Sequence, residues 1–371
     1  MLKDLDTPAL LLDVEKLERN CEAMRRRVQS HGVVLRPHVK TAKSAEVVQR
    51  ALDAPTGPIT VSTVREAEYF FDHGFRDILY AVGMVPQKAR RLAALTRRGA
   101  KVSVIVDSEE GARALVEASA REGVPMPALI EIDSDGHRAG VPPASPRLLR
   151  VAQALGPSLL GVMTHAGESY SCDTVAGIAA MATREREAVV SSAAALRASG
   201  HAAPVVSVGS TPTATFATSF EGVTEVRTGV YMFHDLVMAG LGVCAVDDIA
   251  ISVLGSVIGH QPERHWIVTD AGWMALSRDR GTAKQKVDQG YGLVCDVEGR
   301  PLEDLIVVDA NQEHGIVARR DGGPIDLARY PVGSRLRFLP NHACATAAQH
   351  SEYQVLRNNA PVAAWERFGG W

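Results

Sequence analysis

Three short stretches carry residue types that do chemistry. In Val33-Val34-Leu35-Arg36-Pro37-His38-Val39-Lys40 an apolar run stops at a proline and gives way to a histidine and a lysine. A lysine just past a buried strand is desolvated, which lowers its pKa and frees the neutral amine as a nucleophile or base. The same pattern also arises where a strand ends and its lysine simply enters water. Val208-Gly209-Ser210-Thr211-Pro212-Thr213 runs from a strand into a glycine and three hydroxyl side chains. Backbone N–H groups and hydroxyls of this kind line a phosphate cup, or else the stretch is a plain turn. In Pro340-Asn341-His342-Ala343-Cys344 an imidazole and a thiol stand two residues apart. On a strand that spacing puts both on one face, where they can share Zn²⁺ or a similar divalent metal. A buried cysteine beside a satisfied histidine gives the same pattern. Two protein ligands leave positions for water and substrate, which suits a catalytic metal.

Two polar loops offer supporting groups. Asn311-Gln312-Glu313-His314-Gly315 is either a source of an acid/base group or partner, or a polar turn. Ser277-Arg278-Asp279-Arg280-Gly281-Thr282-Ala283-Lys284 is rich in cations. Arg278, Arg280 or Lys284 would suit a substrate carboxylate, or the loop is a solvated surface.

The elements that position these groups follow a repeat. Thr7–Asp13 is a short strand entered through proline, and Asp13 can cap a helix over 14–30. Apolar runs then recur at Val33–Leu35, Ile59–Val61, Ile78–Val82, Val102–Val106, Ala128–Ile132, Leu159–Met163, Val205–Val208 and Val223–Val226. Amphipathic stretches near 42–53, 64–74, 86–98, 108–122, 145–155 and 174–199 separate them, while the link between Thr211 and Glu221 is short. Eight β/α repeats predict a (β/α)8 TIM-type barrel, with a doubly wound open sheet as the alternative. No GxGxxG follows the first strand to support that alternative. A barrel places its active site at the strand C-terminal ends. Those ends carry His38 and Lys40, Asp133, Thr164 and His165, Gly209, Ser210 and Thr211, and Arg227 with Gly229 and Tyr231. A phosphate cup after strands 7 and 8 and a desolvated lysine in one mouth suggest pyridoxal 5'-phosphate.

Beyond about residue 245 the periodicity shortens to strand-like runs joined by Gly, Pro and Asp turns, which predicts a C-terminal all-β domain. The expected division is a barrel over 14–245 and a β domain of 1–13 with 246–371. At 371 residues the chain exceeds what one core usually supports. A net charge of −3 gives no electrostatic case for nucleic acid or an anionic membrane. No apolar run approaches the ~20 residues of a membrane span, and the acidic N-terminus has no signal-peptide core. Five widely spaced cysteines without a CxxC fit a reducing, cytoplasmic setting.

The motifs together resemble the fold-type III pyridoxal-phosphate proteins. Among these the chain is similar to the D-serine dehydratases, D-threo-3-hydroxyaspartate dehydratases and D-threonine aldolases. The resemblance rests on Asp6-Thr7-Pro8, Arg36-Pro37-His38-Val39-Lys40-Thr41, Glu131 through Val141, Thr164-His165-Ala166-Gly167, Gly209 through Thr213, and His342-Ala343-Cys344. The D-threo-3-hydroxyaspartate dehydratase type is the nearest by motif, on Ile132 through Arg138, Asn311 through Gly315 and Trp365-Glu366-Arg367. It implies an alanine racemase-like barrel, a β domain into which the N-terminal strand folds back, and a homodimer. It implies Lys40 as the Schiff-base lysine and His342 and Cys344 as ligands of a divalent metal, zinc or manganese or cobalt. Arg227 would face the pyridine nitrogen and Arg138 the phenolic side of the cofactor. Aldolases of the group carry His-x-Asp where this chain has His342-Ala343-Cys344, so dehydration of a β-hydroxy D-amino acid is expected. The alternatives are retro-aldol cleavage to glycine and an aldehyde, a racemase, and a non-catalytic cofactor-binding protein.

Overall fold

The computed structural model describes residues 2–371, the side chain of Glu303 excepted. The chain forms two compact units. One is Glu22–Gly229 with Gly370–Trp371, and the other is Val230–Gly369 with the N-terminal stretch ending at Cys21.

After β1 (Ala9–Asp13) and α1 (Val14–Gln29), the first unit lays down eight parallel strands. They are β2 (Val34–Leu35), β3 (Pro58–Val61), β4 (Asp77–Gly83), β5 (Lys101–Val106), β6 (Ala128–Ile132), β7 (Leu159–Thr164), β8 (Val205–Val208) and β9 (Glu225–Val226). Each pairs with the next from β3 to β9, and β9 returns to β2. The ring closes where His38 bridges Thr60, with Thr60 N–H donating to the Pro37 carbonyl at 2.9 Å. This is the expected barrel. Leu79, Ile105, Leu129 and Met163 form one of its buried clusters, each contributing roughly 1.5–3 kcal/mol of apolar burial.

The crossover helices are α2 (Ala45–Leu52), α3 (Val64–Asp72), α4 (Ala89–Arg97), α5 (Glu109–Glu122), α6 (Arg147–Leu155) and α7 (Val175–Ala198). Side-chain caps start three of them: Thr63, Ser108 and Thr174 accept from Glu66, Gly111 and Gly177 N–H. The first starts at Ala45 rather than residue 42, because the chain turns through Val39–Lys43 and Lys43 holds φ at 46°. The stretch after β8 is a short helix, α8 (Thr211–Phe216), capped by Ser210 and with Pro212 in its first turn.

In the second unit β1 lies inside a nine-stranded sheet. It pairs antiparallel with β10 (Ile251–Gln261) and parallel with β16 (Glu352–Arg357), as Leu10 with Val253 and Leu12 with Val355. The other strands are β11 (Trp266–Thr269), β12 (Leu293–Cys295), β13 (Pro301–Ala310), β14 (Gly315–Arg319), β15 (Arg335–Leu339) and β17 (Ala360–Glu366). The register of β10 shifts between Val257 and Gly259, so its first half pairs with β15 and its second with β11. That double use closes β10, β11, β14, β13, β12 and β15 into a ring. Strand β17 escaped the sequence reading because Pro361, Ala363 and Ala364 break the β-branched pattern. The helices here are short: α9 (Leu236–Gly240), α10 (Trp273–Leu276) and α11 (Ala343–Ala347). Among the described residues no helix is long and apolar enough to cross a membrane.

Candidate active site

The barrel mouth gathers cations around two imidazoles. His38, at the bridge past β2, is half-buried, and its Nδ1 is buried with no partner among the described residues. Burial, with Lys40, Arg227, His165 and Arg138 nearby, holds His38 well below its ordinary value and so neutral. His165, just past β7, donates from Nδ1 to the Gly209 carbonyl at 2.7 Å. Burial pushes its pKa down to about 3, with Lys40, Arg138 and Arg227 adding to the effect against the Gly209 bond. Two neutral imidazoles among three cations make an electropositive mouth, which fits an anionic, phosphorylated cofactor.

Lys40 differs from its sequence reading. It is exposed, because it sits in the turn beyond β2 rather than against the strand's apolar flank. Its claim to chemistry therefore rests on position and company, not on desolvation. Arg138 is also exposed, and its guanidinium lies 3.4 Å from Glu131 of β6. Arg227 is buried, with Nε donating to Ser207 at 2.8 Å and Nη2 to the Thr164 carbonyl. Burial lowers its pKa, against the pull of Glu225, Glu185 and Glu131.

The groups of Gly209-Ser210-Thr211 also bond within the chain. Gly209 N–H donates to Glu185 at 3.0 Å, and Ser210 Oγ accepts from Thr213 N–H at 3.2 Å as the cap of α8. Thr211 Oγ1 pairs with Thr228 Oγ1, joining the ends of β8 and β9. Thr164 Oγ1 donates to the Ile132 carbonyl at 2.6 Å and lies 3.0 Å from the Ser134 hydroxyl, so it ties β6 to β7. Gly209 is required by space: a Cβ there would stand 1.7 Å from the Arg227 carbonyl oxygen. At Gly229 it would stand 2.6 Å from that of His38. Both glycines thus let neighbouring strand ends close over the mouth.

In the second unit His342 and Cys344 do meet, though not on a strand. His342 is the extended cap of α11, and Cys344 lies in its first turn. Residue spacing alone cannot tell a strand from a cap followed by a helical turn. His342 Nδ1 donates to Asp279 Oδ2 at 2.6 Å, which leaves Nε2 as the nitrogen that could face a metal. Burial opposes the charged imidazole, but Asp279, Cys344 and Asp235 outweigh it and raise its pKa. Asp235 is buried and accepts from Ala343 N–H at 2.9 Å and Met238 N–H at 2.9 Å, fixing the segment that carries His342 and Cys344. A nitrogen, a sulfur and a carboxylate behind the histidine fit a divalent, borderline metal. No group of three or more His, Cys, Asp or Glu side chains that could hold a metal occurs among the described residues.

Tyr231 is buried in the second unit, in the turn before α9. The loop Asn311–Gly315 is a tight turn, with Asn311 N–H donating to the His314 carbonyl at 2.8 Å and His314 exposed. In the cation-rich loop Arg280 pairs with Asp288 at 2.6 Å, while Lys284 is exposed. Asp279, the acid between the two arginines, is the member of that loop that bonds to His342. Sequence reasoning also missed Glu185 and Asp235, carboxylates in helical or turn context with no motif around them.

Comparison with known proteins covers both units. Residues 12–236 match the family model for the alanine racemase N-terminal domain. Residues 250–356 match that for a putative serine dehydratase domain. The chain is 52% identical to D-threo-3-hydroxyaspartate dehydratase of Delftia sp. (strain HT23), over 100% of this chain and 99% of that one. It is 31% identical to D-serine dehydratase of Dictyostelium discoideum, over 97% and 96% of the two chains. A solved D-threo-3-hydroxyaspartate dehydratase variant in the metal-free form superposes with a TM-score of 0.97 at 51% identity, covering 100% of this chain and 99% of that one.

Proposed function

The chain belongs to the alanine racemase-fold lyases that include D-threo-3-hydroxyaspartate dehydratase and D-serine dehydratase, and we propose that it converts D-threo-3-hydroxyaspartate to a 2-oxo acid and ammonia. D-Serine and D-threonine are the other substrates of the same class. The observation that carries this reading is the 52% identity to the dehydratase along the whole chain. The presence of Cys344 beside His342, backed by Asp279, supports dehydration over retro-aldol cleavage.

When bound, pyridoxal 5'-phosphate supplies an electron sink for the substrate's α-carbon, and a divalent metal (zinc, manganese or cobalt) supplies a Lewis acid for its β-hydroxyl. Lys40 Nζ is the amine that holds the cofactor and then takes the α-proton. Arg227 and Arg138 balance the cofactor's negative charge, and neutral His38 and His165 leave that charge to the cations. His342 Nε2 and Cys344 Sγ hold the metal, and Asp279 fixes the imidazole's orientation.

The test treats the enzyme with chelator, restores Zn²⁺, Mn²⁺ or Co²⁺ one at a time, and measures ammonia and keto acid from each substrate. Release of glycine and an aldehyde instead would replace dehydration by the retro-aldol reading. Undiminished turnover without metal would remove the role of His342 and Cys344. Membership of the group also leads us to propose a homodimer. Sedimentation at the mass of one 39.7 kDa chain would refute it.

A further inference from the structure

The loops that follow β7 and β8 are fastened by one side chain that no part of the reaction has yet used. Glu185 lies on α7 and is 2% exposed. Its Oε1 accepts Ala166 N–H at 3.2 Å and Gly209 N–H at 3.0 Å. The Thr213 hydroxyl bonds to the same carboxylate. The Gly209 carbonyl accepts Nδ1–H of His165, and His165 is joined to Ala166 by a peptide bond, so the bonds form a closed circuit. A buried carboxylate carries a desolvation cost that burial alone does not return. Burial raises the Glu185 pKa, and donors from the ends of two different strands, with Arg227, oppose that rise in part.

We propose that Glu185 is a positioning residue for the cofactor. Its carboxylate pins the Ala166 and Gly209 amides, and through the Gly209 carbonyl it holds His165 with its proton on Nδ1 and Nε2 bare toward the cationic mouth. This inference rests on the pyridoxal-phosphate reading above. Two consequences separate bonding from mere space-filling. Glu185→Gln keeps an oxygen that can accept both amides. Glu185→Asp keeps the charge and the burial but is shorter by one methylene, about 1.5 Å, and cannot span to both strands.

The experiment titrates pyridoxal 5'-phosphate into the apo forms of the wild type, Glu185→Gln, Glu185→Asp and Glu185→Leu. Binding is followed by cofactor absorbance and tryptophan quenching, and thermal melts of the apo forms check folding. The expected result is a dissociation constant within about threefold of wild type for Glu185→Gln and weakened at least about tenfold for Glu185→Asp, even with its melt close to wild type. Glu185→Leu should match Glu185→Asp, and if it fails to fold, Glu185→Asp decides. Wild-type affinity in Glu185→Asp, or equal weakening in Glu185→Gln, overturns the inference and leaves the cofactor reading standing. A wild type that takes up no cofactor overturns both.

Discussion

His342 donates from Nδ1 to Asp279 Oδ2 at 2.6 Å, and that bond decides that Nε2 is the ring nitrogen left free of it. It also raises the basicity of the ring, as carboxylates behind metal-binding histidines do. Asp279→Asn keeps the shape but removes the charge and can present the wrong group to Nδ1. We expect metal affinity to fall about 10–100-fold, read by competition with a chromophoric chelator. An unchanged affinity would mean that Asp279 is a bystander.

Lys40 is exposed, yet it acts on both imidazoles of the mouth. Borohydride reduction of the cofactor-loaded enzyme should fix a cofactor-sized mass on the peptide containing Lys40. Lys40→Ala should lose that mass and lower turnover by at least about 10²–10⁴-fold. A label on any other lysine, with activity retained in Lys40→Ala, would move the role elsewhere.

Arg278 stacks on Trp273 with its guanidinium 5.3 Å from the ring centroid, and it directly precedes Asp279. No carboxylate pairs with it among the described residues, whereas Arg280 is held by Asp288. Arg278 and Lys284 are therefore the exposed cations of Ser277–Lys284 without a carboxylate partner among the described residues, and Arg278, held over Trp273 beside Asp279, is the better oriented for a second substrate carboxylate. Arg278→Ala should raise KM for D-threo-3-hydroxyaspartate about tenfold and leave that for D-serine unchanged. Equal effects on both substrates would refute a role in choosing between them.

The barrel was legible because its signal is periodic: β-branched runs alternating with amphipathic helices identify strands such as Ala128–Ile132 to the residue. Lys40, His342 and Cys344 stood out as candidates because their motifs are local in sequence. What escaped was set by tertiary context. Glu185 reads as one more acid on a long helix, and only the fold shows two strand ends donating to it. Asp235 reads as a helix cap, which it is, but its second oxygen holds Ala343, far away in sequence. The burial of Lys40 was misjudged for the same reason. A strand's end is visible in the sequence, but the direction of the following turn is not.

His234 bears on stability rather than chemistry. It is 9% exposed, its backbone is left-handed with φ 51°, and its Nδ1 has no partner among the described residues. Burial pushes its pKa from 6.5 down to about 4, with Asp248 opposing. Between those values the unfolded chain binds a proton that the folded chain refuses. The contribution to stability is therefore complete above pH 6.5 and is lost as the pH falls toward 4. His234→Asn should tolerate the left-handed backbone and remove this titration. Urea unfolding of both proteins from pH 7.5 down to about 4.5 should show the wild type losing stability more steeply, by up to about 1.4 kcal/mol per pH unit. Buried carboxylates such as Asp235, raised by burial, act in the opposite sense but are common to both proteins and cancel in the difference. Parallel stability curves across that range would show that His234 gains its proton as readily in the folded chain as in the unfolded one.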